Sequence, residues 1–134
     1  MNKPATMTIP QALKKGLEHQ RAGRLGEAQN IYAQVLAAQP NHPAANHLSG
    51  VAALLSGHHT LAAERLQKTL AQQPNRPGAN GHLGEVLLAQ GKMTEAADCF
   101  QKELALDPDH PQTLMKLGNL PSKPRSVGSR GRML

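Results

Sequence analysis

Pro40, Pro74 and Pro108 stand 34 residues apart, and four further columns keep the same interval. Gly16, Gly50, Gly84 and Gly118 form one, Gly23, Gly57 and Gly91 a second, Ala28, Ala62 and Ala96 a third, and Leu36, Leu70 and Leu104 a fourth. Residues 43–76 and 77–110 agree at fourteen of 34 positions. A period of this length describes an array of small supersecondary units, each unable to bury its apolar face without its neighbours.

Within each unit the punctuation is helical. Gly23, Gly57 and Gly91 fall mid-unit, where a residue at ease with positive φ ends one helix before the next. Pro43, Pro77 and Pro111 open units and suit a first helical position, whose N–H has no intrahelical partner. Pro40, Pro74 and Pro108 stop the preceding helix, because proline disfavours a helical residue before it. The pattern predicts helices near 10–22, 25–38, 44–56, 60–72, 78–90, 94–106 and 112–120, and no period-two alternation suggests strands. The small columns at Gly16, Gly50, Gly84 and at Ala28, Ala62, Ala96 predict close helix approach, with Tyr32, Leu66 and Phe100 filling the space between.

These columns resemble the tetratricopeptide repeat, a 34-residue pattern with an early L-G, then A-x3-F and a closing Pro. Leu83-Gly84, Ala96-x3-Phe100 and Pro108 match it closely. Gly16, Ala28-x3-Tyr32 and Pro40 carry it in the first unit, and Gly50, Ala62-x3-Leu66 and Pro74 in the second. The early Trp of the family is replaced by Ala12, Asn46, Asn80 and Leu114. The resemblance implies an all-α superhelix, a solenoid of three full helix-turn-helix repeats (9–42, 43–76, 77–110) and a partial fourth (111–120). A flexible leader over 1–8 and a disordered basic tail over 121–134 flank it.

Charge sharpens that division. Of the formal +6, the stretch from Pro10 to Gly118 supplies ten Lys/Arg against nine Asp/Glu, so Lys3, Lys123, Arg125, Arg130 and Arg132 carry the excess. The tail, PSKPRSVGSRGRML, has no acid and a composition that does not fold alone. Four cations without stacking aromatics argue against specific nucleic-acid binding, since the chain has one Tyr, one Phe and no Trp. No apolar run approaches the length of a membrane span, and the N-terminal residues lack a secretory apolar core, so a cytoplasmic setting is expected.

No catalytic or ligand-binding motif stands out in the sequence. Gly91-Lys92-Met93-Thr94 lacks the upstream glycine spacing of a phosphate loop. The seven His form no H-E-x-x-H, although His47 and His82 lie on successive first helices where they can approach each other. Cys99 beside Phe100 reads as a small core residue. The expectation is therefore no catalytic residue, no cofactor and no metal.

The resemblance also implies a concave groove lined by the first helix of each unit. Carried onto this sequence, its lining is Leu13, Leu17, Gln20 and Arg21, then His47, Val51, Leu54 and Leu55, then Gly81, Glu85, Leu88 and Ala89, with Met115 from the fourth unit. The surface reads as mainly apolar with little central charge. The carboxylate-gripping basic residues of chaperone-type members are absent, since Leu13 and Leu17 occupy their first-unit positions. The asparagine ladder of the O-linked N-acetylglucosamine transferase superhelix is also missing, its column holding Lys14, Leu48, His82 and Lys116. A non-catalytic scaffold that binds a peptide or amphipathic helix of another protein is the expected function. The alternative is the N-terminal substrate-recognition part of a larger glycosyltransferase or sulfotransferase. The pattern breaks off after Leu120, which suggests a truncated or frame-altered version of a longer array, or self-association through an uncapped C-terminal end.

Overall fold

The computed structural model describes residues 7–120. Seven helices follow in order: α1 (Ile9–Arg21), α2 (Leu25–Ala38), α3 (Pro43–Leu55), α4 (His59–Gln72), α5 (Ala79–Ala89), α6 (Met93–Leu106) and α7 (Pro111–Gly118). No strand occurs among the described residues. The tail expected over 121–134 and most of the leader expected over 1–8 lie outside them, but Thr8 belongs to α1 as its cap.

The turn within each unit is built identically three times. Gly23, Gly57 and Gly91 have φ of 83°, 81° and 79°. The amide after each glycine reaches back to the helix, from Arg24, His58 and Lys92 to the carbonyls of His19, Ala53 and Leu87, each at 2.8 Å. This is the Schellman closure that a left-handed glycine permits.

The starts of the first helices are less uniform. Thr8 and Gln11 form a reciprocal capping box on α1. On α3 and α7 the cap is a histidine, with His42 Nδ1 accepting from the Ala45 amide and His110 Nδ1 from the Thr113 amide, both at 3.2 Å. Pro43 and Pro111 then occupy the first turn as expected. Pro77 departs from that expectation. Arg76 stands where α3 and α7 have their capping histidine, Gly78 takes φ 85° as N-cap, and α5 begins only at Ala79, leaving Pro77 ahead of the helix. The missing cap comes from another helix: the Glu103 carboxylate of α6 accepts from the Gly78 amide at 2.9 Å and the Gly81 amide at 3.2 Å.

The two helices of a unit lock at the glycine column. A Cβ on Gly16 would lie 2.4 Å from Tyr32, on Gly50 2.8 Å from Leu66, and on Gly84 2.5 Å from Phe100. Ala28, Ala62 and Ala96 are wholly buried beside them. The largest apolar cluster joins the second and third units through Leu66, Leu83, Val86 and Phe100, and Leu117 and Leu120 of the α7 region pack against it. Burial of these apolar side chains, at about 1.5–3 kcal/mol each, is the principal force holding the array together.

Candidate functional site

The first helices form the inner side of the bend. Helix α1 touches α3, and α3 touches α5, whereas no comparable contact joins α2 to α4 or α4 to α6. Helices whose like faces meet lie on the shorter radius of a curved array, so α1, α3 and α5 line its concave side, and α7 stands beside α5 through the Lys116–Glu85 pair and a shared cavity.

Each expected groove residue lies on one of these helices, but their surroundings differ. Arg21, Leu55, Ala89 and Met115 are exposed; Leu17, Val51, Gly81 and Glu85 are half-buried. Leu13 is also half-buried and packs against the apolar clusters of the first unit boundary. Leu54 and Leu88 pack against the main core cluster, so they divide their area between core and groove. Gln20 is held in place by Tyr32, whose hydroxyl donates to its Oε1 at 2.9 Å. Burial pushes the Tyr32 phenol up to about 12.

The reading of the groove residues as mainly apolar with little central charge leaves out a polar chain at the junction of the second and third units. Arg76 Nε donates to His47 Nδ1 at 2.8 Å, and His47 Nε2 stands 3.0 Å from His82 Nδ1. A guanidinium nitrogen can only donate, which makes His47 Nδ1 the acceptor. In the neutral pair the His47 proton therefore sits on Nε2 and is given to His82, whose own proton is left on Nε2. Burial holds the His47 imidazole down at about 4, helped by the nearby His82 and Arg76. Burial also lowers His82, with Lys116 and His110 acting in the same direction and Glu85 and Glu103 opposing. Both rings are thus uncharged near neutral pH.

Beyond His82 the groove continues into a small cavity of about 100 Å³, walled by His82, Glu85, Glu103, His110, Gln112 and Lys116. Lys116 Nζ lies 3.6 Å from Glu85 Oε1, a loose, partly exposed pair of little energetic worth. Glu103 is almost fully buried, yet its carboxylate is satisfied by the two α5 amides and by the positive end of that helix. The inner side accordingly presents apolar residues interrupted by hydrogen-bond donors and acceptors.

Arg76 and Glu103 escaped the sequence-based reading of the groove. The signal was present as departures from columns: Arg76 replaces His42 and His110, and Glu103 replaces Val35 and Thr69. A larger cavity of about 470 Å³ lies between α4, α5 and α6 and is lined by Leu70, Leu83 and Cys99. Burial raises the Cys99 thiol above its ordinary range, which disfavours the reactive thiolate. No group of three or more His, Cys, Asp or Glu among the described residues could hold a metal ion. No helix there is long and apolar enough to cross a membrane.

No curated protein matches the sequence. Among solved structures, a mutant of the Thermobaculum terrenum O-GlcNAc transferase superposes with a TM-score of 0.81 at 27% identity, over 93% of this chain and 25% of that one. MamA from Desulfovibrio magneticus RS-1 superposes with a TM-score of 0.78 at 23% identity, over 84% of this chain and 64% of that one. The first tetratricopeptide domain of Spaghetti (RPAP3), bound to an HSP90 peptide, gives 0.80 at 20% identity, over 84% of this chain and 89% of that one. The chain thus spans a quarter of the transferase and about two thirds of MamA. The tetratricopeptide repeat family model matches residues 13–77 and again 50–111. Together with the helix-pair geometry repeated at Gly16, Gly50 and Gly84, this match shows that the chain belongs to the tetratricopeptide repeat family.

Proposed function

We propose that the chain is a non-catalytic interaction scaffold whose concave face holds a peptide or amphipathic helix of another protein. The observation that carries this reading is the inner face itself. Leu17 on α1 and Val51 on α3 are half-buried without belonging to an apolar core cluster, and the same set of first helices carries the polar groups of His47, His82, Glu85 and Lys116. Apolar patches supply affinity, and the ordered donors select register. The RPAP3 domain bound to an HSP90 peptide supports a peptide ligand for a fold of this kind.

The test is affinity capture with mass spectrometry, comparing the wild-type chain with a Leu17→Lys/Val51→Lys variant. The variant retains its helical circular dichroism and loses the partner; a partner captured equally by both would exclude this face. A second reading, recognition of protein substrates for a larger glycosyltransferase or sulfotransferase, is supported by the likeness to the transferase. Glycosylation or sulfation of the captured partner would favour it.

A further inference from the structure

In each complete unit the first-helix glycine is a socket and the second helix supplies its plug. Tyr32 fills Gly16, Leu66 fills Gly50 and Phe100 fills Gly84, so closely that a single Cβ would meet the plug at under 3 Å. Each plug sits four residues after a wholly buried alanine: Ala28, Ala62 or Ala96. Gly118 is the fourth member of the glycine column, and among the described residues nothing lies within 4 Å of the Cβ it would carry.

Among the described residues the surface around Gly118 is open in the same sense. Helix α7 packs on α6 as α5 packs on α4 and α3 on α2, so it presents its glycine face where a second helix lies in the other units. Asn46 and Asn80 are 0% and 5% exposed in the complete units, whereas Leu114, in the same column, is 48% exposed. The sequence of 121–134 contains no alanine and no aromatic residue. It therefore holds no copy of the alanine-plug pair.

We infer that the Gly118 face of α7 is a second protein-binding site, distinct from the concave groove, which accepts an amphipathic helix of another protein. The helix it fits carries a small residue and, four positions later, Phe, Tyr or Leu. The small residue lets the backbones approach, and the large side chain enters the glycine socket beside Leu114. This is the interface that the chain makes with itself three times, continued onto a partner.

A labelled peptide of residues 93–106, carrying Ala96 and Phe100, serves as the probe for fluorescence anisotropy with the full chain. Binding is expected in the micromolar range or weaker, and to fall at least tenfold when the Phe of the peptide is replaced by Ala. It should fall equally with Gly118→Ala in the protein. That substitution lies in helical backbone with open space around it, so it raises the thermal midpoint while removing binding, which separates the result from unfolding. The Leu17→Lys/Val51→Lys variant should bind the probe as the wild type does, so failure of the groove reading leaves this one standing, and the converse. The inference is overturned by absence of binding at about 1 mM peptide, or by binding that Gly118→Ala leaves unchanged. A dimer of the free chain that Gly118→Ala dissociates would also overturn it, giving the face to a second copy.

Discussion

His47 and His82, 35 residues apart in the chain, share a single hydrogen bond of 3.0 Å that ties α3 to α5 across the junction of two repeats. Its direction is set from outside by Arg76, which occupies His47 Nδ1. Protonating His47 would place a second donor against that guanidinium, and burial already opposes the charge.

Acid sensitivity follows with a definite sign. The unfolded His47 takes up its proton near 6.5 and the folded one only at about 4. Between those values the unfolded state binds more protons, so stability is lost as pH falls through the window and levels off below it. The limit is about 1.4 kcal/mol for each unit of separation between the two values. Urea denaturation at about pH 7 and about pH 4.5 should show the loss, and His47→Leu should flatten the difference. Equal pH dependence in both proteins would contradict the assignment.

Glu103 is expected to matter more than an ordinary helix-surface carboxylate. Glu103→Gln keeps the shape but removes the charge facing the α5 N-terminus and leaves one acceptor for two amides, at a cost of about 1–2 kcal/mol. Glu103→Leu removes both acceptors and should cost more. Hydrogen exchange at the Gly78 and Gly81 amides reads the loss locally, and unchanged protection there would count against the cap.

Gly84→Ala should destabilise even though alanine is the better helix former. The added methyl meets the Phe100 ring at 2.5 Å in a wholly buried site, and overpacking of this kind costs about 1–3 kcal/mol. Phe100→Leu in the same chain should recover part of that loss, because a Cβ on Gly50 meets Leu66 at 2.8 Å, a looser approach than the 2.5 Å to the rigid Phe100 ring. Additive effects of the two substitutions, measured by denaturation, would show that the contact is not shared.

Tyr32 is the sole tyrosine and the chain has no tryptophan, so ultraviolet absorbance reports one phenol. It should resist ionisation until about 12 while the protein is folded. The unfolded phenol ionises near 10, so stability present at neutral pH is lost as pH rises between these values. An absorbance titration midpoint near 10 in protein still helical by circular dichroism would contradict the burial.

Repetition made most of the fold legible. Gly23, Gly57 and Gly91 marked the turns, and the Gly16, Gly50 and Gly84 column with Tyr32, Leu66 and Phe100 marked how two helices meet, because these are short-range contacts renewed every 34 residues. The start of α5 was misjudged at Pro77 since a column averages over units, and the third unit departs from it.

The sequence by itself determined the helix pairs and their order, since periodic glycines and apolar residues act locally on backbone and packing, whereas which helix of each pair faces inward came only from the resemblance to the family. Only the tertiary structure decided the Arg76–His47–His82 chain and the Glu103 cap on α5, whose partners lie 29, 35 and up to 25 residues apart. Arg76 and Glu103 are residues in which one unit differs from the others, and nothing local specifies what they meet. Their hydrogen bonds and desolvation take definite values only after the helices have packed.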